Sequence, residues 1–546
     1  MEKNHIVNKN VYRDIFRYHE ETKHHFDRYA RSSGSMDWQN QPNPFRFYED
    51  INIIYLPLLK NDPKAAYPDL YRRQNNTPQP FTLENIAGFL ELSLGLSAWK
   101  SVTGSKWPLR INPSSGNLHP TEAHLVLPAM DAIKAGVHHY NPLIHGLEPR
   151  ISTPAEIWNS IRKHFDTEGF LIGLSSIFWR ESWKYGERAF RYCNHDVGHA
   201  LAALSISGNL WGWKVTDLNA LSDDENEKIL GFDRIPWKRL EKEEADLLCF
   251  VHSHRHPDVP RNLPEAIVSE FSDLIPEGRP NILSKENVNW EIIYQTAEVT
   301  RKPPTPETRY DLGSRKFLEV PEPRHSAADI IRQRRSATDF NSDGSIPKDH
   351  FLAMLDKTVA RNDCAPFDVQ LMEPAVHLFL FVHNVEALDQ GLYFFFRNDE
   401  DMGEIKHGSH PDFLWQRVQD GFSLYLLKKG NFRHAAMEIS CHQEIAGYSV
   451  FSLGMIAKFS EVIKKDPYRY RHLFWETGMI GQVLYLEAEA HSVRGTGIGC
   501  FFDDAVHDIL GFKDNNWQSL YHFTVGQPVE DARLTTYSAY HHLQRS

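Results

Sequence analysis

Apolar positions along the chain alternate between helical and strand-like spacing. Residues 81–96 carry apolar side chains at helical intervals after Thr82, a residue type that often caps a helix N-terminus, and 346–355 repeats that spacing. Short apolar runs at 123–127 and Gly136–Asn141 have the length and composition of buried strands. The pattern therefore predicts helices and short strands in alternation, with a further helix over 12–29 near the N-terminus.

The most strongly amphipathic stretch is 184–204, which we expect to be one helix. Phe190, Val197 and Leu201 fall on one side of it at 100° per residue. The opposite side carries five basic residues: Lys184, Arg188, Arg191, His195 and His199. Such a stripe is either a solvated face or a surface directed at an anion, and the pattern leaves both interpretations open.

A change of composition divides the chain. Between 257 and 323 it becomes rich in Pro and Glu, which indicates an extended linker with one helix near 290–299. We expect an N-terminal extension at 1–80, a first domain at 81–262, a linker at 263–322 and a second domain at 323–546.

The two domains resemble each other in sequence. A shift of 280 residues carries Gly198 onto Gly478 and the block beginning at Asp223 onto the block beginning at Asp503. A shift of about 255 carries the strand at Gly136 onto a similar one at Gly391. Several matches in one register indicate two fused copies of one domain.

Composition narrows the kind of partner. The 546 residues are 41% hydrophobic and 12% aromatic, enough to bury large cores, and the net charge of −12 argues against nucleic acid and anionic membranes as partners. The five cysteines are far apart and form no CxxC pair, so we expect no disulfide framework and a reducing compartment. With no apolar leader and no long apolar run, the chain is predicted to be cytoplasmic.

His195 and His199 have the i, i+4 spacing of a metal-binding pair, with Asp196 beside them. The chain has 29 histidines, so such a spacing also arises incidentally, and no third ligand is evident. We therefore predict no metal site and expect the pair to be a core or interface feature.

Candidate chemistry is divided unevenly between the copies. The first copy has a polar loop at 109–122, LRINPSSGNLHPTE, where the second has no comparable loop. The second has Arg334, Arg335 and Ser336, whereas the first lacks the serine near Arg72 and Arg73. Each copy keeps what the other lacks, which predicts a single site shared across their interface.

These residues carry a resemblance. The stretch at 183–203, WKYGERAFRYCNHDVGHALAA, together with PSSGNLHPTE and RRSATDF, resembles the FMN-dependent nitroreductase-like superfamily and, within it, the thiazoline/oxazoline dehydrogenases of peptide-toxin biosynthesis. The resemblance implies an α+β fold in which each domain has a mostly antiparallel sheet flanked by helices. It also implies that the fused copies form an intramolecular pseudo-dimer with one FMN at the interface, and leaves open whether that pair associates further.

The resemblance assigns cofactor-binding residues from both copies. Arg334, Arg335 and Ser336 would bind the phosphate, with Arg533 as a further basic candidate, while a glycine-rich turn would offer its amides to the flavin ring. A guanidinium suits a phosphate dianion, and glycine permits close backbone approach. The remaining assigned residues are those of the turn, Gly497, Ile498 and Gly499, and those of the first-copy loop, Pro113, Ser114, Ser115, Gly116 and Asn117.

Two further positions concern the reaction. Thr338 stands where the family usually has Arg or Lys near the flavin ring. Lys184 and Tyr185 match the catalytic pair of the azoline dehydrogenases, where removal of hydride requires a base to take a proton. We expect two-electron oxidation or reduction of a small molecule or modified peptide, with NAD(P)H as a candidate electron donor. Thr338 favours the alternative, a flavin-binding or scaffold protein without turnover.

Overall fold

Two seven-stranded antiparallel sheets dominate the computed structural model, which describes residues 2–73, 76–131, 133–256 and 258–543. The strands are β1 Tyr48–Glu49, β2 Ile54–Tyr55, β3 Leu96–Val102, β4 Ser105–Arg110, β5 Thr121–Leu127, β6 Gly136–Asn141, β7 Gly146–Ser152, β8 Gly169–Ser176, β9 Trp213–Asp217, β10 Glu244–Ser253, β11 Arg279–Pro280, β12 Val376–Val382, β13 Gly391–Phe395, β14 Gln416–Gln419, β15 Phe422–Lys429, β16 Phe451–Lys458, β17 Arg494–Ile498, β18 Trp517–Gly526 and β19 Thr535–Ser538.

Helices cover both sheets and meet between them. They are α1 Glu2–Glu21, α2 Leu83–Glu91, α3 Ala155–Phe165, α4 Phe178–Tyr185, α5 Ala189–Leu210, α6 Asp223–Leu230, α7 Glu265–Glu270, α8 Glu291–Val299, α9 Ala327–Gln333, α10 Lys348–Lys357, α11 Met402–Gly408, α12 Arg433–Ile439, α13 Glu444–Tyr448, α14 Ser460–Lys465, α15 Arg469–Ala490 and α16 Asp503–Leu510. None of the helices in the described ranges is long and apolar enough to cross a membrane.

The two halves repeat one topology. The first sheet runs β2-β7-β6-β5-β8-β10-β9 and the second β14-β15-β13-β12-β16-β18-β17, so each strand has a counterpart at the same position. α5 and α15 occupy equivalent places before β9 and β17, and α6 and α16 follow them. The predicted α+β fold, with two mostly antiparallel sheets flanked by helices in repeated halves, is confirmed.

α5 and α15 join the halves. Each helix is 22 residues long and almost entirely buried, and the two pack against each other along their lengths. Gly198 and Gly478 lie at the contact, where an added Cβ on Gly198 would approach the carbonyl oxygen of Trp475 to 2.1 Å. The largest cluster of buried apolar side chains includes residues of both helices and extends into both halves.

The helix cap at Thr82 and the strands β5 and β6 lie where the local sequence pattern predicts them. Thr82 caps α2 by accepting a hydrogen bond from the Asn85 N–H at 3.3 Å, and β5 and β6 occupy the predicted positions. The N-terminal helix starts earlier and ends earlier than predicted, at Glu2–Glu21.

The predicted single helix over 184–204 is wrong. α4 ends at Tyr185, a 3₁₀ turn spans Gly186–Arg188, and α5 begins at Ala189. Gly186 has φ 55°, and a Cβ there would lie 2.2 Å from the carbonyl oxygen of Arg31. The N-terminal arm crosses the chain here and accepts the Glu187 N–H at that carbonyl, so tertiary contact breaks the helix at its glycine.

Segments outside the two predicted domains add strands to the fold, and the C-terminal segment of the predicted second domain crosses to the first half. β2 extends the edge of the first sheet beside β7, and β1 pairs with β11 from the predicted linker. β19, near the C-terminus, pairs with β3 of the first half. The domain division at residues 80, 262 and 322 stays a prediction, and the structure shows how closely these segments interlock.

Candidate functional site

A cavity of about 770 Å³ lies between the halves and is lined from both of them. The first half supplies the 113–117 loop, β4 and α5, while the second supplies the segment after α9, β17 and the C-terminal segment. Among the assigned cofactor-binding residues, those that line it are Pro113, Ser114, Ser115, Gly116, Asn117, Arg334, Arg335, Ser336, Thr338, Gly497, Ile498 and Gly499. The fold thus brings together two sequence motifs that lie in different halves.

The 113–117 loop is held in shape by its own polar groups. Gly116 and Asn117 both have φ 59°, which turns the chain sharply after Ser115. The Ser114 hydroxyl accepts the His119 N–H at 2.8 Å, and the Ser115 N–H donates to the Asp196 carboxylate on α5 at 3.2 Å. The loop is therefore anchored to the central helix of its own half and presents its open side to the cavity.

Lys184 and Tyr185 lie directly beside this loop. From the position that a Cβ on Gly116 would take, the Tyr185 hydroxyl is 2.7 Å away and the Lys184 ammonium 3.0 Å. The Tyr185 side chain lines the cavity, and Lys184 Nζ lies 5.1 Å from the centre of its ring. Burial raises the pKa of Tyr185 well above its ordinary value, and the nearby carboxyl of Glu181 raises it further. The phenol therefore keeps its proton at neutral pH.

Two buried carboxyls lie behind the loop. Glu181 on α4 shares a hydrogen bond with the Ser114 hydroxyl at 3.4 Å, and Asp196 on α5 lines the cavity. Burial raises the pKa of both groups, and the neighbouring Asp196 raises that of Glu181 further. A carboxyl with a raised pKa beside a cavity can exchange a proton at neutral pH.

The opposite wall of the cavity carries several guanidinium groups, and the carboxyl of Glu489 lines the same cavity. Arg334 is 4% exposed and donates a hydrogen bond to the Arg110 carbonyl at 2.9 Å. Within the described residues, the Arg335 side chain donates hydrogen bonds only to backbone carbonyls. Arg110, Arg334 and Arg335 form no ion pair with any carboxylate of the described residues. Burial lowers the pKa of Arg110 and of Arg335 to about 10 each.

These groups fit a phosphate. Buried cations are normally paired, and an uncompensated buried charge is costly. Several buried polar atoms of this wall also lack a hydrogen-bond partner within the described ranges: Arg110 Nε, Asn112 Oδ1, His119 Nδ1 and Arg334 Nε. A phosphate dianion would neutralise the guanidiniums and accept hydrogen bonds, so the residues present are compatible with the phosphate end of FMN.

The predicted glycine-rich turn is largely part of a strand, and one of its backbone amides already has a hydrogen-bond partner. Gly497 and Ile498 belong to β17, paired with Phe523 and His522 of β18, and the Gly497 N–H donates to the Tyr485 hydroxyl at 2.9 Å. Ser336 bonds the same Tyr485 hydroxyl at 2.9 Å. The Tyr485 ring also lies 5.2 Å from the Arg334 guanidinium, which places it at the centre of this wall.

Arg533 is not brought into the cavity. Its side chain is 81% exposed and pairs with Asp531 at 2.7 Å. Arg494 lines the cavity instead, paired with Glu530 at 2.7 Å. Thr338 lines the same cavity with a neutral side chain.

The basic stripe predicted on one helix face divides into two environments in addition to that of Lys184 beside the loop. Arg188 and Arg191 are buried and bind Asp503 of the second half at 2.9 and 2.7 Å, so they face an anion that belongs to the protein. His195 stacks on Tyr521 with ring centroids 4.1 Å apart, and His199 lies 3.3 Å from the Tyr521 hydroxyl. Burial lowers the pKa of both histidines, so they remain neutral. The described residues contain no cluster suited to a metal ion.

The equivalent position in the other half is closed by an internal ion pair. Arg73 is buried and binds Asp368 at 2.7 Å, the Ser205 hydroxyl at 2.7 Å and the Trp213 carbonyl at 2.8 Å. Ser205 is the counterpart of Tyr485 under the 280-residue shift, and Asp368 lies in the segment that replaces the PSSGN loop. A carboxylate, Asp368, therefore lies beside Arg73, whereas Arg334 forms no ion pair with a carboxylate of the described residues.

Sequence reasoning missed Arg110, Glu181 and Tyr485, and it considered Asp196 only as a metal neighbour. Arg110 ends the strand that leads into the PSSGN loop, which is the one local signal that could have identified it. Glu181 and Tyr485 acquire their roles through contacts with residues 67 and 149 positions away. Only the fold reveals such contacts.

Comparisons with known proteins agree with this architecture. Residues 331–527 match the model of the nitroreductase family. A candidate nitroreductase from Anabaena variabilis has a crystal structure that superposes with a TM-score of 0.68 at 21% identity, covering 94% of this chain and 99% of that one. A candidate nitroreductase of Methanocaldococcus jannaschii is 20% identical over 161 residues, which are 29% of this chain and 78% of that protein.

Proposed function

We propose that this protein is an FMN-dependent oxidoreductase with one flavin site per chain, formed jointly by its two halves. The observation that carries the proposal is the shared cavity, where the 113–117 loop faces the Arg334–Ser336 segment. The match of residues 331–527 to the nitroreductase family supports flavin-dependent oxidoreductase chemistry as the class. The repeated topology supports the view that the chain is a fused pseudo-dimer.

The phosphate end of FMN is proposed to lie against Arg334, Arg335 and Ser336, with Arg110 contributing from the first half. These guanidiniums have no carboxylate partner in the described chain, and a dianion would remove the cost of burying them. Arg494 takes the place that the sequence assigned to Arg533, since Arg494 lines the cavity and Arg533 does not. The loop residues Ser114, Ser115 and Asn117 would enclose the cofactor from the other side.

The bound flavin would supply the two-electron chemistry. This chain's residues handle the accompanying proton. Tyr185 keeps its hydroxyl proton and can donate it, and Asp196 can exchange a proton near neutral pH. Lys184, beside Tyr185, is the proposed base. All three adjoin the loop at Gly116 or Ser115, and Tyr185 and Asp196 line the cavity there.

The substrate class we propose is a small organic molecule or a modified peptide, oxidised or reduced by two electrons, with NAD(P)H as a candidate donor. The cavity volume of about 770 Å³ is within the range of small-molecule sites. Lys184 and Tyr185 support dehydrogenation of an azoline-like ring, because that reaction needs a base next to the flavin.

One observation favours a second candidate, a flavin-binding protein without turnover. Thr338 lines the cavity and offers no positive charge where the related enzymes have a cation. A reduced flavin carries negative charge near N1 and O2, and without a cation its anion is less stabilised. Arg110, Arg334 and Arg335 supply the positive field of this cavity from other positions.

The purified full-length chain tests the proposal. We expect it to be yellow, to release FMN on denaturation, and to oxidise NADH or NADPH when a quinone or nitroaromatic acceptor is added. A yellow protein that fails to turn over any donor and acceptor pair would support the second candidate. A colourless protein that leaves added FMN free and fully fluorescent would contradict both.

A further inference from the structure

Two cysteines that are 59 positions apart meet at the wall of the cavity. The sulfur atoms of Cys441 and Cys500 are 2.8 Å apart and share a hydrogen bond. Cys500 lies two residues after the end of β17 and lines the cavity, while Cys441 lies just after α12. Both are partly exposed free thiols.

The backbone at Cys441 is strained. Cys441 has φ 53° and His442 has φ 59°, so two consecutive residues with side chains adopt the left-handed conformation. This conformation is unfavourable for a residue with a side chain and persists only where the surrounding structure holds it. Gln443 supplies part of that hold, because its side-chain amide donates to the Cys500 carbonyl at 3.0 Å and to the Ser440 carbonyl at 2.8 Å. The strained turn directs the Cys441 sulfur at Cys500.

The two thiols have different environments. The hydrogen bond with Cys441 lowers the pKa of Cys500, and His24 and Arg188 lower it further against the opposing effect of burial. His24 accepts the Ala30 N–H at Nδ1 at 2.9 Å, so its Nε2 carries the proton that can be donated to the Cys500 sulfur. The hydrogen bond with Cys500 and burial raise the pKa of Cys441. Of the two thiols, Cys500 is therefore the one that ionises more readily.

We propose that Cys441 and Cys500 are a reversible dithiol–disulfide pair that exchanges two electrons with the flavin in the adjoining cavity. The exchange rests on the proposed function, whereas formation of the disulfide does not. In the reducing direction, the reduced flavin gives up two electrons and one proton, the S–S bond breaks, Cys500 leaves as thiolate and Cys441 becomes a thiol. In the reverse direction the dithiol forms the S–S bond and the oxidised flavin is reduced.

A small-molecule disulfide can oxidise the same pair. The Cys500 thiolate attacks one sulfur of oxidised glutathione and releases one glutathione thiolate. The Cys441 sulfur, on losing its proton, then attacks Cys500 in the mixed disulfide and releases the second glutathione. This exchange uses glutathione alone as the co-reactant and therefore proceeds with or without FMN.

The first measurement is on the full-length chain without added flavin. The protein is equilibrated with ratios of reduced to oxidised glutathione, alkylated with N-ethylmaleimide, and examined by intact mass and peptide mapping. As the disulfide forms, we expect two cysteines to become resistant to alkylation together. Peptide mapping should then show a disulfide-linked peptide that joins Cys441 to Cys500. Cys364→Ser, which removes a partly buried cysteine elsewhere, should leave this transition unchanged, and Cys441→Ser should abolish it. Failure of the linked peptide to form at any ratio would overturn the proposal.

The second measurement uses FMN-loaded protein under anaerobic conditions with dithiothreitol as reductant. We expect loss of the flavin absorbance to be about tenfold slower or more in Cys441→Ser than in the unaltered protein, because exchange requires both sulfurs. Equal rates in the two proteins would overturn the electron exchange while leaving the proposed FMN site intact. If instead the pair cycles but the protein binds no FMN, the proposed function fails, and the exchange with flavin fails with it.

Discussion

Gly198 and Gly478, equivalent positions of the two halves, touch each other where α5 crosses α15. A Cβ on Gly478 would lie 2.9 Å from the Cα of Gly198 and 2.2 Å from the carbonyl oxygen of His195. The contact of two equivalent residues gives the junction a local two-fold relationship. Since α5 and β17 both border the cavity, the junction also sets the distance between its walls.

The first prediction concerns this contact. Gly478→Ala should lower the free energy of unfolding by about 1–3 kcal/mol, because the added methyl group forces the helices apart. The expected loss opposes the gain that alanine normally brings to a helix interior. Urea denaturation of the full-length chain measures it.

Gly403→Ala is the matched control. Gly403 lies in α11, and a Cβ there would meet nothing within 4 Å. We expect this variant to be as stable as the unaltered chain or slightly more so. Equal effects of the two substitutions would show that the α5–α15 contact is not tightly packed.

The second prediction concerns the closed position in the first half. Asp368→Asn leaves the buried Arg73 guanidinium without its carboxylate and should lower the free energy of unfolding by about 3–5 kcal/mol. The FMN content should stay at one per chain, because the open site lies elsewhere. Asp389→Asn, which breaks an exposed pair with Lys429, should cost about 1 kcal/mol or less. Two flavins per chain would contradict the single-site account.

The third prediction concerns pH. Burial raises the pKa of Asp196 to about 7, whereas an Asp in an unfolded chain ionises near pH 3.9. The unfolded state therefore loses its proton first, and this group makes the protein less stable as pH rises from about 4 to about 7. Asp196→Asn removes the penalty. It should stabilise the chain by at least about 1 kcal/mol at pH 8 and by little at pH 4.5.

Denaturation at both pH values checks this difference. Asp508→Asn, which alters an exposed carboxyl on α16, should change stability at neither pH. A loss of stability in Asp196→Asn at pH 8 would mean that the ionised carboxylate is stabilised by its surroundings. We also expect turnover to fall in Asp196→Asn, since the amide cannot exchange a proton.

The fourth prediction separates binding from reaction. Lys184→Met and Tyr185→Phe should each lower turnover by about a hundredfold, the usual size of a general acid or base contribution, with FMN affinity nearly unchanged. Lys513→Met, at an exposed position, is the control for loss of a lysine. Steady-state kinetics with a nitroaromatic or quinone acceptor measure the effect. If turnover in both variants stayed within about threefold of that of the unaltered chain, neither residue would take part in the reaction.

The parts of the fold that sequence predicts are those with local or repeated signals. Thr82 at the start of α2 and the apolar runs of β5 and β6 act within a few residues, so their patterns predict their structure. The repeat linking Gly198 to Gly478 predicted two equivalent halves.

Contacts between distant segments explain what sequence did not predict. The break at Gly186 depends on the Arg31 carbonyl, and the meeting of Cys441 with Cys500 depends on two turns of the second half. The open wall at Arg334 depends on which arginines acquire carboxylate partners, a property of the folded chain. Sequence therefore identified the two motifs, while the structure supplied Arg110 and Asp196 between them.

FMN affinity of two variants, one in each half, tests the shared site most directly. Quenching of FMN fluorescence should show that Arg334→Ala weakens binding at least about tenfold, through loss of a charged hydrogen bond, and Ser115→Ala about threefold. Arg533→Ala, at an exposed arginine paired with Asp531, should leave affinity unchanged. If only one of the Arg334 and Ser115 variants weakened binding, a site shared by the two halves would be contradicted.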